Sequence, residues 1–305
     1  MLIRLLRIHL RPYAAFLGAV VALQLVGTIA SLYLPSLNAE IIDQGVARGD
    51  TGFILRTGAW MLAVTFLQIV CSIAAVYFGA RAAMGFGRDV RSAIFHRVTT
   101  FSAREVGHFG APSLITRNTN DVQQVQMLVV MTCTMMIAAP IMSVGGVIMA
   151  LRQDVGLSWL MLVCIPALVL AIGIIVVQMV PQFRAMQARI DVVNRVLREQ
   201  LSGIRVVRAF VREGDEAARF AEANAALTGT ALRAGRLMVL IFPIVMLILN
   251  VSSIAVLWFG AFRVDSGEMQ IGALTAFLMY LMQILMAVMM ATFMAIMIPR
   301  AAVCA

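Results

Sequence analysis

This sequence contains no lysine, and all 24 of its positive side chains are arginines. A phosphate loop of the form G-x-x-x-x-G-K-[ST] needs its lysine to reach the nucleotide's phosphates. No such loop exists in these 305 residues. Charge is scarce altogether, at 13% of residues against 62% hydrophobic. A soluble domain is nearer half apolar and a quarter charged, so lipid is the solvent expected for most of this chain. The only cysteines, Cys71, Cys133, Cys164 and Cys304, each lie in or beside an apolar run. Their spacing fits no metal site or disulfide framework, and they read as small buried side chains. With no triad and no metal-ligand pattern either, no catalytic residue is assigned, and the chain by itself is not read as an enzyme.

What is present is a set of six charge-free runs, at 12–39, 57–80, 122–151, 155–183, 237–262 and 269–299. Each exceeds the roughly 20 residues a helix needs to cross a hydrocarbon core of about 30 Å. Backbone groups in lipid must bond within their own segment, and the short alternating strands of a barrel are missing. The expected fold class is therefore an all-α membrane protein with six long transmembrane helices. Arginine sets the orientation. Twenty of the 24 precede the first run, follow the last, or lie in the connections 81–121 and 184–236. The other side keeps only Arg48, Arg56, Arg152 and Arg263. The positive-inside rule then places both termini and both long connections in the cytoplasm. The net charge of +9 is read as this topology signal, and no nucleic-acid partner is expected. Residues 1–11 carry Arg4, Arg7 and Arg11 on one helical face with leucines around them. They read as a helix lying in the membrane interface, with a flexible basic tail as the alternative.

The two long connections are not loop-like. Met84, Val90, Ile94, Phe95 and Val98 recur at helical spacing, as do Met186, Ile190, Val193, Val196, Leu197, Leu201 and Ile204. That period predicts amphipathic helices continuing the spans into water. Each connection has a breaker-rich middle: VGHFGAPS, with Gly107, Gly110 and Pro112, and VREGDEA, with Gly214. Two cytoplasmic helical hairpins follow, with tips placed to touch something soluble; a merely structural stalk is the alternative.

Here the residues resemble a known family. FGAPSLITRNTNDVQQVQ (109–126), with Leu114, Arg117 and Asp121, is similar to the first intracellular loop of ABC exporters of the type I transmembrane fold. REQLSGIRVVRAFVREGDEAARF (198–220), with Glu199, Gly203, Ile204, Arg208, Phe210 and Glu213, resembles their second. GEMQIGALTAFLMYL (267–281) is similar to the approach to the sixth span. The resemblance implies one permease half, residues 1–305, of a dimeric pathway whose second transmembrane half is a homo- or heterodimeric partner. It implies short coupling helices near Val106–Ser113 and Val211–Glu216 that dock on nucleotide-binding domains. The coupling residues carried over are Val106, His108, Phe109, Gly110, Ser113, Arg117 and Asp121 at the first tip. At the second they are Arg208, Phe210, Arg212, Glu213 and Asp215. No cofactor is expected in this chain; ATP and magnesium belong to a nucleotide-binding domain absent from it, fused in a longer chain or separate. PRAAVCA at the C-terminus has no helix stop signal, so excision from a longer chain is the favoured expectation. The implied location is a cell membrane, bacterial inner or plasma membrane.

No Asp, Glu, Arg or His lies centrally in any span, whereas ion-coupled transporters mark their pathways with such groups. The wall of a pathway then offers neutral contacts. Its candidates are Gln68, Asn250, Met279, Met282, Gln283, Met286, Met290 and Phe293, the methionines being soft and adaptable. Packing or lipid contact is the competing account of each. The function expected is ATP-driven movement of a hydrophobic or amphipathic, drug- or lipid-like substrate by alternating access, most simply export. A secondary transporter or channel fragment, or a non-transporting membrane scaffold, is the alternative.

Overall fold

The computed structural model describes the backbone of residues 2–304, with the side chains of all of these except 293 and 295–303. Every regular element among the described residues is helical. They are α1 (Leu2–Leu10), α2 (Ala14–Glu40), α3 (Thr51–Thr99), α4 (Ala103–Phe109), α5 (Ala111–Thr116), α6 (Val122–Met131), α7 (Ala138–Gln153), α8 (Trp159–Ala209), α9 (Glu213–Asp265) and α10 (Ile271–Cys304). Among the described residues, six helical stretches are long and apolar enough to cross a membrane. The protein is thus a multi-pass, all-helical membrane protein.

α3, α8 and α9 have 49, 51 and 53 residues. At about 1.5 Å per residue each is about 75 Å long or more, far beyond what a bilayer requires. Their outlying parts are the amphipathic stretches read from the sequence. α8 runs unbroken through Pro166 and Pro181, and α9 through Pro243.

The third crossing is less regular. Wide, π-type turns occupy Arg117–Asp121 and Thr132–Met136, on either side of α6. Pro140 follows the second. Proline supplies no N–H to the turn before it and crowds the carbonyl four residues back, which a widened turn accommodates. Near that turn the Gln24 amide, from α2, donates to the carbonyls of Cys133 and Thr134 at 3.4 Å.

The chain forms two compact units, Met1–Ile165 with Ser253–Ala305, and Pro166–Ser252. In the first, α2 lies along α3, and α10 packs on α2, α6 and α7. Small residues let the helices approach. A Cβ on Gly79 would stand 3.0 Å from that of Cys133, and one on Gly146 would stand 2.6 Å from Ile284. Cys71, Cys133 and Cys164 are reduced and buried. α1 packs against α3. Its Leu2, Leu5, Leu6 and Leu10 pack on a core of Phe86, Val90, Val122 and Val125, so that face is sealed by protein. Only Ile3, Ile8 and the arginines face outward. The junction of α1 and α2 is pinned by Tyr13, which donates to Asp89 at 2.7 Å.

On the side opposite the hairpin of the first unit, Asp154 is 5% exposed at its side chain and binds Arg263 at 3.1 Å. It also accepts from the Leu157 N–H at 2.7 Å. Arg263 in turn meets Glu268 at 3.1 Å. One carboxylate thus ties the α7–α8 connection to the end of α9. The second unit takes in most of α8 and of α9 with the connection between them, and Arg219 pairs with Glu199 across it at 2.5 Å.

Candidate functional site

The first hairpin tip is built by local rules. Ser102 caps α4: its hydroxyl accepts from the Glu105 N–H at 3.3 Å. The Glu105 carboxylate accepts the Ser102 N–H at 2.7 Å and its hydroxyl at 2.8 Å. This reciprocal box satisfies donors that a helix start otherwise leaves open. The Ser102 backbone N–H, then its hydroxyl, holds the Glu105 carboxyl below the usual carboxylate range. Gly110 ends α4 at φ 75° and ψ 138°, a conformation that excludes a side chain without strain. Pro112 then opens α5, where its missing N–H costs nothing.

Phe109 is the centre of the tip. Phe101 stacks on it with centroids 5.8 Å apart, and His108 meets it edge-on at 5.4 Å. The Arg117 guanidinium lies 5.3 Å from the ring centroid, a cation–π arrangement. Below these groups lies a cavity of about 450 Å³, lined by Ile94, Arg97, Val98, Leu114, Arg117 and Asp121 among others. Four of the residues carried over from the resemblance, His108, Phe109, Gly110 and Arg117, are therefore gathered in one cluster, with Asp121 at the cavity beneath. Val106 and Ser113 lie on α4 and α5. The first coupling helix expected at Val106–Ser113 is instead cut at Gly110, and the compact helix is Ala103–Phe109. Phe101 and Ser102 were not among the expected residues, although the S-x-x-E spacing of Ser102 and Glu105 is legible as a cap.

The second tip carries no separate short helix. α8 ends at Ala209 and α9 begins at Glu213. Val211, at φ 52°, reverses the chain between them. Phe210 and Val211 are 73% and 81% exposed, so two apolar side chains are left uncovered at the apex. Arg212 pairs with Asp215, and Glu213, Asp215 and Glu216 fill the first turn of α9, where negative charge complements the helix dipole. Arg208 lies in the last turn of α8, the complementary position.

The methionine face is on α10. Phe277, Tyr280, Leu281, Ile284 and Leu285 are buried. On the opposite side Met279, Met282 and Met286 are 41%, 43% and 46% exposed. Gln283 and Met290 share that exposed side, half-buried. The Gln283 Oε1 is buried with no hydrogen-bond partner among the described residues. Gln68 on α3 is half-buried and Asn250 on α9 exposed; the Phe293 side chain lies outside the described residues. Behind the methionines runs a polar chain that the sequence did not disclose. Gln153 donates to Ser36 at 3.1 Å, Ser36 meets Tyr280 at 2.7 Å, and Tyr280 donates to the Leu32 carbonyl at 2.8 Å.

This arrangement, with six long helices, a capped hairpin tip and a neutral face on the last span, is that of a transporter's membrane domain. The chain belongs to the ABC transporter transmembrane region family, whose model matches residues 17–288. An ABC transporter ATP-binding protein of Mycobacterium tuberculosis is 56% identical over 305 residues, covering 100% of this chain and 52% of the relative. One from Bacillus subtilis is 32% identical over 271 residues, or 89% of this chain and 47% of that protein. A multidrug efflux ATP-binding/permease protein of Mycobacterium bovis is 24% identical over 273 residues, 88% of this chain and 22% of the relative. The chain thus spans about half the length of the first two relatives.

Proposed function

We propose that this chain is the permease half of an ATP-driven exporter that moves hydrophobic or amphipathic compounds across a bacterial cell membrane by alternating access. The observation that carries the reading is the first hairpin tip. A helix pair leaves the apolar region and ends in a capped helix whose aromatic centre is locked by Phe101 and Arg117. Such a packed and capped tip suits a surface that receives displacement from a soluble domain. The relatives' descriptions as ATP-binding proteins support a nucleotide-binding domain, carrying ATP and magnesium, as that partner. Val106, His108, Phe109, Gly110, Ser113, Arg117 and Asp121 would form one docking surface. Arg208, Phe210, Arg212, Glu213 and Asp215 would form the other. Two copies, or this chain and a related half, would enclose a pathway to which α10 contributes Met279, Met282, Gln283, Met286 and Met290. The arginine distribution supports a cytoplasmic location for both hairpins and both termini.

The test is uptake of a lipophilic fluorescent cation into inverted membrane vesicles carrying the complete transporter. Accumulation that requires ATP, and stops when hydrolysis is blocked, is the expected result. Uptake indifferent to ATP but driven by a proton gradient would replace this reading with a secondary transporter.

A further inference from the structure

A second site lies at the ends of α2 and α3 remote from the hairpin tip. Tyr33, Leu37 and Glu40 form a stripe at i, i+4 and i+7 on α2. Phe53, Arg56, Thr57 and Trp60 form the facing stripe on α3. Between them is a cavity of about 630 Å³, of the size that small ligands occupy. Its floor is Leu37 and Thr57, 2% and 8% exposed, and its sides include Tyr33 and Trp60, 40% and 57% exposed.

Depth sets the ligand. Glu40 ends the charge-free run 12–39 and Arg56 precedes the run 57–80, so both charges stand where hydrocarbon gives way to headgroups. Tyrosine and tryptophan favour that same level. Neither Glu40 nor Arg56 has an ion-pair partner among the described residues. One carboxylate and one guanidinium thus face a cavity at headgroup depth, with three aromatic rings around it.

We propose that this cavity binds the headgroup of a zwitterionic phospholipid, phosphatidylethanolamine in the leaflet away from the hairpins. Arg56 takes the phosphate, for which a guanidinium is well shaped. Glu40 accepts hydrogen bonds from the ammonium, and Trp60 and Tyr33 offer it aromatic faces. The acyl chains then lie along the exposed apolar side of α3, where Leu62, Phe66 and Ile69 are 73%, 70% and 50% exposed. The site is separate from the methionine face and does not rest on the transport reading.

Native mass spectrometry of the complete transporter in detergent, titrated separately with phosphatidylethanolamine and phosphatidylglycerol, tests the assignment. The wild type should retain the ethanolamine lipid about threefold better, the scale of one partly exposed charge contact. Glu40→Gln should abolish that preference, and Arg56→Gln should reduce retention of both lipids. Equal retention of the two lipids by the wild type overturns the proposal, and needs no variant to fold. Unchanged preference in Glu40→Gln overturns it too. Displacement of the lipid by micromolar soluble phosphoethanolamine would give the site to a soluble ligand instead.

Discussion

At Gly110 the backbone holds φ 75° and ψ 138°, so its side chain is forbidden by geometry and not by crowding, since the nearest atom to a built Cβ is Pro112 Cδ at 3.9 Å. Gly110→Ala should therefore cost about 1–3 kcal/mol of local strain, read as faster hydrogen exchange of residues 103–116 with the spans unaffected. Glu105 gives a pH dependence of known sign. Its folded pKa is lowered by Ser102, so the cap is complete at neutral pH. It should loosen as pH falls through the lowered value. Protection of the first turn of α4, taken relative to the intrinsic exchange rate at each pH, should fall in acid for the wild type and stay constant over that range in Glu105→Gln. Asp154 is a different case, a carboxylate with 5% side-chain exposure beside an arginine with 32%. Asp154→Ala leaves Arg263 with Glu268 alone and the Leu157 N–H unfilled. A loss of about 1–3 kcal/mol is expected, seen as a lower melting temperature in detergent. A double variant, Asp154→Leu with Arg263→Met, should lose less than the sum of its parts.

Among elements, the hairpins are where sequence pattern and structure agree most closely. The outlying part of α3 was legible because a proline-free stretch kept Val90, Ile94 and Val98 at helical spacing, and α8 was legible in the same way. The tips were less so. A glycine-rich stretch announces a break but not its place, and only the torsion at Gly110 decides that α4 ends at Phe109. At the second tip the acidic run EGDE had a competing use as the first turn of α9, which leaves no residues for a separate helix. The wide turn before Pro140 and the packing of α1 escaped for another reason. Both depend on partners distant in sequence, Gln24 in one case and Val90 and Val122 in the other. If the tips transmit motion, Arg117→Ala combined with Arg208→Ala should leave membrane insertion intact. ATP turnover in the complete transporter should persist while substrate movement per ATP falls at least severalfold, about the 0.5–1 kcal/mol or more of a lost cation–π contact. Unchanged stoichiometry would deny the tips that role.

For the whole molecule, class was readable from composition and charge placement alone, because lipid imposes helices on any chain that crosses it. The pathway was readable only as a list of neutral residues. The structure groups Met279, Met282, Gln283 and Met286 on one exposed side of α10, a grouping that helical spacing anticipates. It shows Gln68 and Asn250 on other helices. The unpaired Gln283 oxygen has no counterpart in any sequence signal, since satisfaction of a buried amide is decided by neighbours. Gln283→Leu should accordingly be tolerated in folding but alter which compounds stimulate ATP turnover, checked by comparing a panel of apolar and amide-bearing compounds.

The unbroken course of α3 has a mechanical corollary. Its middle in the apolar run falls near residue 68, so at about 1.5 Å per residue the tip end lies about 45 Å from that fulcrum and the opposite end of the run about 17 Å. A tilt about mid-bilayer thus trades distance for force. In such a tilt the tip end would sweep more than twice as far as the outer end of the apolar run, and that outer end would push correspondingly harder.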